Sequence, residues 1–443
     1  MSRLASVVIL RSLALFFFAA VSVLTFAQAP GTGSTMVPVP GVGHDYIQAL
    51  SETLDPSSGS VSMRIGVPIP KGRGLNLPFS FAYDSNGVAY PPTWTFYHGT
   101  GFASDGGWSY PIPASAADLA AFNPPAFPMD TCEYYTNFRF VDPSGARRGL
   151  GFLKINTPSP QCGTSPATQS GGDIDFRATL SSGILAADAN GTVYSLPGGI
   201  GGLASKVEDR NGNVINISGS GTSGFTETDT LGRAVLSASG FGATGNTVTV
   251  AGLGASYQLT WESVSADFTV DSNLVYNGSN YQCSFQASPT SAISELVVKS
   301  IQLPNGKSYS FKHGPDDPNN SNPYGLLSQM TYPSGAWIKY SWIINPQSAG
   351  GIFPNLLGTV GQCDWRWGKP ALQSRTVSFD GVNPALKQTF QYTTNWSATG
   401  SSGSDLWNTK QTIVTTQDLI RGTSFTTTYL YAPTAISGEP APR

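Results

Sequence analysis

The stretch "GSVSMRIGVPIPKGRGLNLPFSFAYDS", Gly59 to Ser85, decides the fold. Apolar side chains occupy alternate positions on both sides of a Lys-Gly-Arg-Gly link at residues 71–74. A period of two places these side chains on one face of a β-strand, and the glycines permit the positive φ of a tight turn. The pattern predicts an antiparallel hairpin with one buried face. The alternating residues are Val61, Met63, Ile65, Val67 and Ile69, then Leu75, Leu77, Phe79, Phe81 and Tyr83.

The composition favours an all-β protein over a helical one. Charged residues make up 12% of the 443 residues and aromatic residues 11%, and the chain contains 50 glycines and 32 prolines. Such a load of turn-forming residues suits many short strands, and the length allows two or three domains. One run, "SAADLAAF" from Ser115 to Phe122, could form a short helix.

Short turn motifs recur between stretches of strand type. Asp accepts backbone hydrogen bonds within a turn, Pro presets φ, and Asn-Gly suits a hairpin. Three of the motifs lie 21 and 20 residues apart, which predicts one β-hairpin per repeat, stacked side by side. The motifs are "DPSG" from Asp142, "DANG" from Asp188, "DRNG" from Asp209, "DTLG" from Asp229, "PNG" from Pro304 and "PSG" from Pro333.

These hairpins resemble the YD repeats of RHS-type proteins. The resemblance rests on "DRNGNVINI", "DTLGRAVL" and "LPNGKSYSFKH", and on the opening "LDPSSGSVSMRIGVPIP", which is similar to the region before the repeats in secreted bacterial members. It extends from about residue 43 to about residue 433. It implies an all-β fold of stacked antiparallel β-hairpins that form an RHS/YD-type sheet or partial shell. In long members such a strip spirals into a hollow shell around a C-terminal toxin.

The chain departs from that family pattern in three ways. It is short for a complete shell, it lacks a long run of full "Y-D-x-x-G-R" units, and it ends at "APTAISGEPAPR" without a toxin domain. Toxin-releasing members cleave themselves beside a "D-P-x-G" motif at the end of the repeats. Asp142-Pro143-Ser144-Gly145 has those letters but lies far upstream, so we interpret it as a hairpin turn.

The N-terminus predicts export. Arg3 and Arg11 accompany an apolar run at residues 12–26, and small residues follow, so residues 1–27 are interpreted as a signal peptide cleaved after Ala27. An uncleaved N-terminal anchor is the alternative. No later segment is long and apolar enough to span a membrane. We therefore expect a secreted or cell-envelope protein. The formal net charge of −3 argues against a nucleic-acid partner.

Export allows disulfides between the four cysteines. Cys132 and Cys162 flank one apparent hairpin, which favours the pairs Cys132–Cys162 and Cys283–Cys363. Free buried thiols are the alternative. The absence of Cys-x-x-Cys spacing argues against a zinc or redox site.

Little in the chain points to catalysis. There is no nucleophile elbow, no His-Glu-x-x-His and no phosphate-binding loop. The three histidines, His44, His98 and His313, are expected to be structural or exposed. Asp173 and Asp175 share one side of a predicted strand, most simply as a solvated edge. We expect a protein that is not an enzyme and needs no cofactor.

Two groups of residues are candidate ligand sites. Asp316, Asp317 and Asn319, with Asn322 in the same loop, could bind calcium through hard oxygen ligands, although a plain connecting loop is the simpler interpretation. Trp365 and Trp367 lie on one face of an extended segment and could stack on sugar rings. Burial in the core is the alternative for this pair.

The sequence divides into three parts after the signal peptide. Residues 28–170 hold the opening hairpin, residues 171–345 the degenerate repeats, and residues 346–443 a further β segment with a Pro-rich end. The expected function is that of an exported non-enzymatic RHS-like scaffold for packaging, adhesion or surface interaction, with a protein or glycan at the cell surface as partner. Alternatives are a secreted carbohydrate-binding or carbohydrate-active protein, and a fragment of a longer RHS toxin-delivery protein.

Overall fold

The computed structural model describes most of the chain after residue 46. The described residues are 47–70, 74–88, 104–122, 132–145, 147–155, 162, 170–172, 175–199, 201–221, 223–266, 275–277, 293–314, 325–354, 362–396 and 407–432. The signal-peptide prediction therefore lies outside the described residues. Within them the architecture is all-β, as predicted, and the strands form three antiparallel sheets.

The first sheet has six strands and contains the opening hairpin. Its strands are β1 (Ile47–Ala49), β2 (Glu52–Asp55), β3 (Ser60–Val67), β4 (Phe79–Asp84), β5 (Ser104–Asp105) and β6 (Trp108–Ser109), and a 3-10 turn at Ser85–Gly87 follows β4. Strands β3 and β4 pair as predicted, with Met63 opposite Tyr83 and Ile65 opposite Phe81. One detail differs, because every residue of β4 is buried. Both faces of β4 are covered, so the hairpin has more than the one buried face that was expected.

The second sheet has five strands and corrects the predicted helix. Residues 115–122 lie in a strand paired with its neighbour over most of its length, with Phe122 opposite Cys132 and Ala114 opposite Val141. The segment "SAADLAAF" forms a strand and not a helix because cross-strand pairing buries its small side chains, such as Ala116 and Ala117. The strands are β7 (Ala114–Phe122), β8 (Cys132–Val141), β9 (Arg147–Gly149), β10 (Lys154–Ile155) and β15 (Gly201–Leu203).

The third sheet has nineteen strands, nearly all in chain order. Strand β15 leaves this order to pair with β7, so β14 pairs directly with β16. The first half comprises β11 (Ser170–Gly172), β12 (Phe176–Leu180), β13 (Gly183–Asp188), β14 (Val193–Pro197), β16 (Lys206–Glu208), β17 (Val214–Ser220), β18 (Gly224–Thr228), β19 (Ala234–Ser239) and β20 (Thr247–Val250). The second half comprises β21 (Tyr257–Ala266), β22 (Val275–Asn277), β23 (Ile293–Gln302), β24 (Ser308–His313), β25 (Leu327–Thr331), β26 (Trp337–Pro354), β27 (Gln362–Ser378), β28 (Leu386–Trp396), β29 (Trp407–Asp418) and β30 (Thr423–Tyr431).

The predicted turns join these strands as expected. In the turn at Asp209, the carboxylate accepts hydrogen bonds from the backbone N–H groups of Asn211 at 2.8 Å and Asn213 at 2.9 Å. The turns at Asp188 and Asp229 have the same bonds. Gly212 closes the turn at a φ of +78°, in the left-handed region that favours glycine. Local turn chemistry thus specifies each of these three hairpins, while their origin as repeats stays a prediction.

The first sheet fills the inner side of the long sheet. Its aromatic residues contact successive long strands, with ring centroids of Phe81 and Tyr257 5.6 Å apart and those of Trp108 and Phe311 4.6 Å apart. Thr412 on β29 donates a hydrogen bond to the carbonyl of Pro56 at 2.6 Å. Phe79 also contacts Phe225 on β18, with the ring centroids 6.2 Å apart. Strands β18 and β29 would lie roughly 50 Å apart in a flat sheet at about 4.8 Å per strand, so the sheet must curve around the N-terminal strands to make these contacts.

One hydrophobic core runs through the described residues. It contains side chains from each of the three predicted parts, from Leu54 to Val414. The boundaries of those parts stay a prediction. In the described portion of the chain, no helix is long and apolar enough to cross a membrane.

Candidate functional site

The last three strands carry rows of aromatic side chains on their inner face. Cross-strand partners in an antiparallel sheet project to the same side. Buried Val414 on β29 faces the core. The rows on the same face follow one another from Val414 towards Trp407, at the start of β29. The next row contains Tyr392, Thr412 and Tyr429, the following row Thr394, Lys410 and Tyr431, and the last row Trp396 and Trp407. We call Tyr392, Trp396, Trp407, Lys410, Tyr429 and Tyr431 the aromatic shelf.

Hydrogen bonds to the backbone fix three of the shelf side chains. The Tyr392 hydroxyl donates to the carbonyl of Leu372 at 2.6 Å, and the Trp396 indole N–H donates to the carbonyl of Gln347 at 3.0 Å. Lys410 Nζ donates to the carbonyl of Ser348 at 2.8 Å. Tyr392 and Tyr429 pack against the hydrophobic core, so Trp396 and Trp407 are the shelf rings with surface left for a ligand. Both tryptophans of the shelf are half-buried.

A bulge in β26 supplies two of those carbonyls. Asn345 pairs with Lys369 and Ala349 pairs with Trp367, so three residues of β26 lie opposite the single residue between Lys369 and Trp367. Gln347 in this bulge has a φ of +49°, a left-handed conformation that is uncommon for a residue other than glycine. Such local strain clusters at functional sites.

The shelf carries a positive charge. Lys410 Nζ lies 4.9 Å from the centroid of the Trp407 ring, which suits a cation–π interaction. The pKa of Lys410 is lowered to about 8, mainly by burial and secondly by the nearby charge of Lys369, while Asp55 opposes both effects. Lys410 is therefore mostly protonated at pH 7. None of the six shelf residues has a carboxylate.

The chemistry of these side chains suits binding. Fixed aromatic rings beside an ammonium can stack on flat or ring-shaped ligands and attract an anionic group.

The predicted tryptophan pair lies next to the shelf along the backbone. Trp365 on β27 pairs with Gly351 and with Tyr276, and Trp367 pairs with Ala349 at the end of the β26 bulge. Their side chains lie outside what the structure describes, so their expected role in sugar binding stays a prediction.

The predicted calcium ligands Asp316, Asp317 and Asn319 also lie outside the described residues. Within the described ranges, no cluster of three or more His, Cys, Asp or Glu residues could hold a metal ion. The calcium loop stays a prediction.

One of the two predicted disulfides is present. Cys132 and Cys162 are bonded, with their Cα atoms 5.5 Å apart. Cys283 lies outside the described residues, and only the backbone of Cys363 is described, in β27. The pair Cys283–Cys363 therefore stays a prediction.

His313 has a structural role. Its Nε2 accepts a hydrogen bond from the Trp108 indole N–H at 3.3 Å, and its Nδ1 is buried. Burial lowers the pKa of His313 to about 3, so the imidazole is neutral at pH 7. His44 and His98 lie outside the described residues.

The "DPSG" segment forms a closed turn. The Asp142 carboxylate accepts hydrogen bonds from the backbone N–H of Ser144 at 2.8 Å and from Arg148 Nε at 3.2 Å. Arg148 also bonds Asp175 at 3.0 Å. Asp175 is therefore ion-paired rather than simply solvated, and Asp173 lies outside the described residues. These contacts match the turn that was expected in place of a self-cleavage site.

Sequence reasoning missed the shelf itself. Its signal was present in "FQYTTNW", residues 390–396, and "TYLY", residues 428–431, where aromatic residues recur at even spacings along each strand. This spacing predicts strands, but only the register shows that aromatic residues from three strands fall in adjacent rows. Neither a protein-family model nor a curated protein matches the chain.

Proposed function

We propose that the protein is an exported, non-enzymatic β-sheet scaffold of RHS-like architecture that acts by contacting other molecules at the cell surface or outside the cell. The observation that carries this proposal is that the N-terminal strands pack against the inner side of the long sheet. Phe79 lies 6.2 Å from Phe225 and Phe81 lies 5.6 Å from Tyr257, ring to ring, so the N-terminal strands occupy the inner side of the long sheet. A sheet packed on its own strands suits adhesion or surface contact better than packaging of a separate cargo.

The disulfide supports export. A bond between Cys132 and Cys162 persists in oxidising compartments and is rare in a reducing cytosol. It joins the start of β8 to a residue 30 positions later. The predicted signal peptide leads to the same compartment.

Three of the buried titratable groups lie apart from one another, which suits a non-enzymatic role. Glu52, Glu227 and His313 lie on β2, β18 and β24, in three different strands. Glu52 is paired with Arg375, and His313 accepts a bond from Trp108. We interpret these groups as parts of the packing.

Fractionation of a bacterial host that expresses the full chain tests export. We expect the protein in the envelope or the medium with the Cys132–Cys162 bond formed, and we expect a variant without residues 1–27 to stay in the cytosol. The purified exported protein should then bind intact cells without consuming surface polymers. Full-length protein that remains cytosolic and reduced would contradict the proposal.

A second candidate function, carbohydrate binding, is favoured by the aromatic shelf. A glycan array probed with wild type and with a Trp396→Ala/Trp407→Ala variant tests it. Trp337→Ala is a matched control, because Trp337 lies 5.1 Å from Lys339 Nζ in a similar pair elsewhere in the sheet. Binding lost only in the shelf variant would support a lectin-like role. A Trp365→Ala/Trp367→Ala variant tests the sequence-based candidate on the same array.

A further inference from the structure

Strand β30 forms one edge of the long sheet among the described strands. It pairs with β29 over its whole length, from Thr423 opposite Asp418 to Tyr431 opposite Lys410. Most of its residues are exposed. Phe425 is 64% exposed and Leu430 is 71% exposed, and they lie on opposite faces of the strand.

The sequence of this edge strand lacks the residues that normally protect a sheet edge. Native proteins block edges with charged residues, proline, bulges or very short strands, because unpaired backbone groups attract further strands. The sequence of β30, "TSFTTTYLY", has no charge, no proline and no glycine over nine residues. The opposite edge strand, β11, has three residues, "SGG", and so follows the rule.

The strand is also complementary to itself. A two-fold axis perpendicular to the sheet through Thr427 would pair each residue of β30 with a same-face residue of a second β30, antiparallel. Phe425 would then lie opposite Tyr429, and Thr426 opposite Thr428. Aromatic pairs and threonine pairs are among the favourable cross-strand combinations. Leu430 would lie opposite Ser424.

We propose that β30 is a self-association edge, at which two copies of the chain join their long sheets through antiparallel β30–β30 pairing centred on Thr427. A second copy suits this edge because the symmetric register pairs Phe425 with Tyr429 and Thr426 with Thr428 and places no charge in the contact. Such a contact is isologous and closes as a dimer. The whole chain has a net charge of −3, but the edge adds no like charges to the contact.

Introducing like charges at the edge tests the proposal on the purified full-length protein. Thr426 and Thr428 are exposed, and in the proposed register each lies opposite the other residue of the second copy. Thr426→Lys/Thr428→Lys places lysines opposite lysines, which is destabilising. Sedimentation over a range of concentrations should show a dimer for wild type and a monomer for this variant. Ser218→Lys, on exposed but interior strand β17, is the control and should leave the dimer intact.

A mixing experiment distinguishes loss of association from loss of folding in these variants. Thr426→Glu/Thr428→Glu should also be monomeric alone, and an equimolar mixture of the lysine and glutamate variants should restore a dimer containing one chain of each. Wild type that stays monomeric up to its solubility limit would overturn the proposal. So would a lysine variant that remains dimeric, or a mixture that does not associate.

Cross-linking tests the register. Directly opposite residues in an antiparallel pair lie about 4.5–5.5 Å apart at Cα, within disulfide range. Thr427→Cys should therefore form a cross-linked dimer under oxidation, and Ser424→Cys should not, because Ser424 lies opposite Leu430. Cross-linking through position 424 and not 427 would overturn the pairing.

Discussion

Arg375 on β27 and Glu52 on β2 form a fully buried ion pair between the long sheet and the N-terminal sheet. Arg375 Nε donates to Glu52 Oε1 at 2.6 Å, a second guanidinium nitrogen bonds the same oxygen, and the Tyr340 hydroxyl donates to Oε2. Arg375 also bonds the side chain of Gln388 at 3.2 Å. The guanidinium and the carboxylate therefore fix the position of the N-terminal strands on the long sheet.

Removal of one partner of this pair should be strongly destabilising. Arg375→Met leaves the Glu52 carboxylate buried without its cation, so we expect the free energy of unfolding in urea to fall by about 3–5 kcal/mol. The double variant Glu52→Leu/Arg375→Met should lose less than the Arg375 variant alone, because no charge remains buried. Arg421→Met is the control. Arg421 is 81% exposed in its pair with Asp418, and its loss should cost less than about 1 kcal/mol. Equal losses for Arg375→Met and Arg421→Met would contradict this assignment.

His313 should make the fold sensitive to acid. The pKa of His313 is about 3 in the folded protein and about 6.5 in the unfolded chain. The unfolded chain therefore binds more protons between these values, and stability from this group is lost as pH falls below about 6.5. The slope should reach about 1.4 kcal/mol per pH unit.

His313→Gln keeps a hydrogen-bond acceptor for Trp108 and removes this titration. Urea unfolding of both proteins between pH 4 and pH 7 measures the difference. We expect the free energy of unfolding of the wild type, relative to that of the variant, to fall as the solution becomes more acidic. A constant difference across that range would show that the buried imidazole does not set the acid response.

Local interactions explain what the sequence could predict. Asp209 and Gly212 specify their turn within four residues, through a carboxylate that accepts backbone N–H groups and a glycine at positive φ. The pairing of β3 with β4 follows from alternation across one short link. Such features depend on neighbours in the chain, so they can be inferred without the fold.

The remaining features depend on partners far away in the chain. Glu52 and Arg375 are 323 residues apart, and neither lies in a local motif that indicates a buried pair. Residues 115–122 carry a helical pattern but pair as a strand, because β8 and β15 lie on either side of them. The shelf depends on the register of three strands and on the bulge at Gln347. No periodicity along one strand contains that information.

Glu227 should make the fold sensitive to alkali. It is buried on β18, and within the described portion its Oε2 has no hydrogen-bond partner. Burial raises the pKa of Glu227 to about 8, against about 4.3 in an unfolded chain. The folded protein therefore binds the extra proton between these values, and this group's contribution to stability falls as pH rises through that window.

Glu227→Gln removes this titration with little change in shape. The stability of wild type relative to the variant should decline by up to about 1.4 kcal/mol per pH unit between pH 5 and pH 8. The contribution of Glu227 to stability falls as pH rises, whereas that of His313 falls as pH decreases. Each variant must therefore be compared with wild type at every pH. A relative stability that rises with pH would refute a protonated Glu227 in the fold.

Gly212 tests how far the Asp-Gly turns between strands determine stability. A Cβ atom at this position would meet no other atom within 4 Å, so any cost of Gly212→Ala comes from the backbone φ of +78°. We expect a loss of about 1–2 kcal/mol in the free energy of unfolding. Gly254→Ala is the matched control, since that glycine has equally open surroundings and no positive φ. The control should change stability by less than about 0.5 kcal/mol, and it can be slightly stabilising because alanine restricts the unfolded chain. Equal effects at the two positions in urea unfolding would mean that the left-handed glycine is not what specifies the turn.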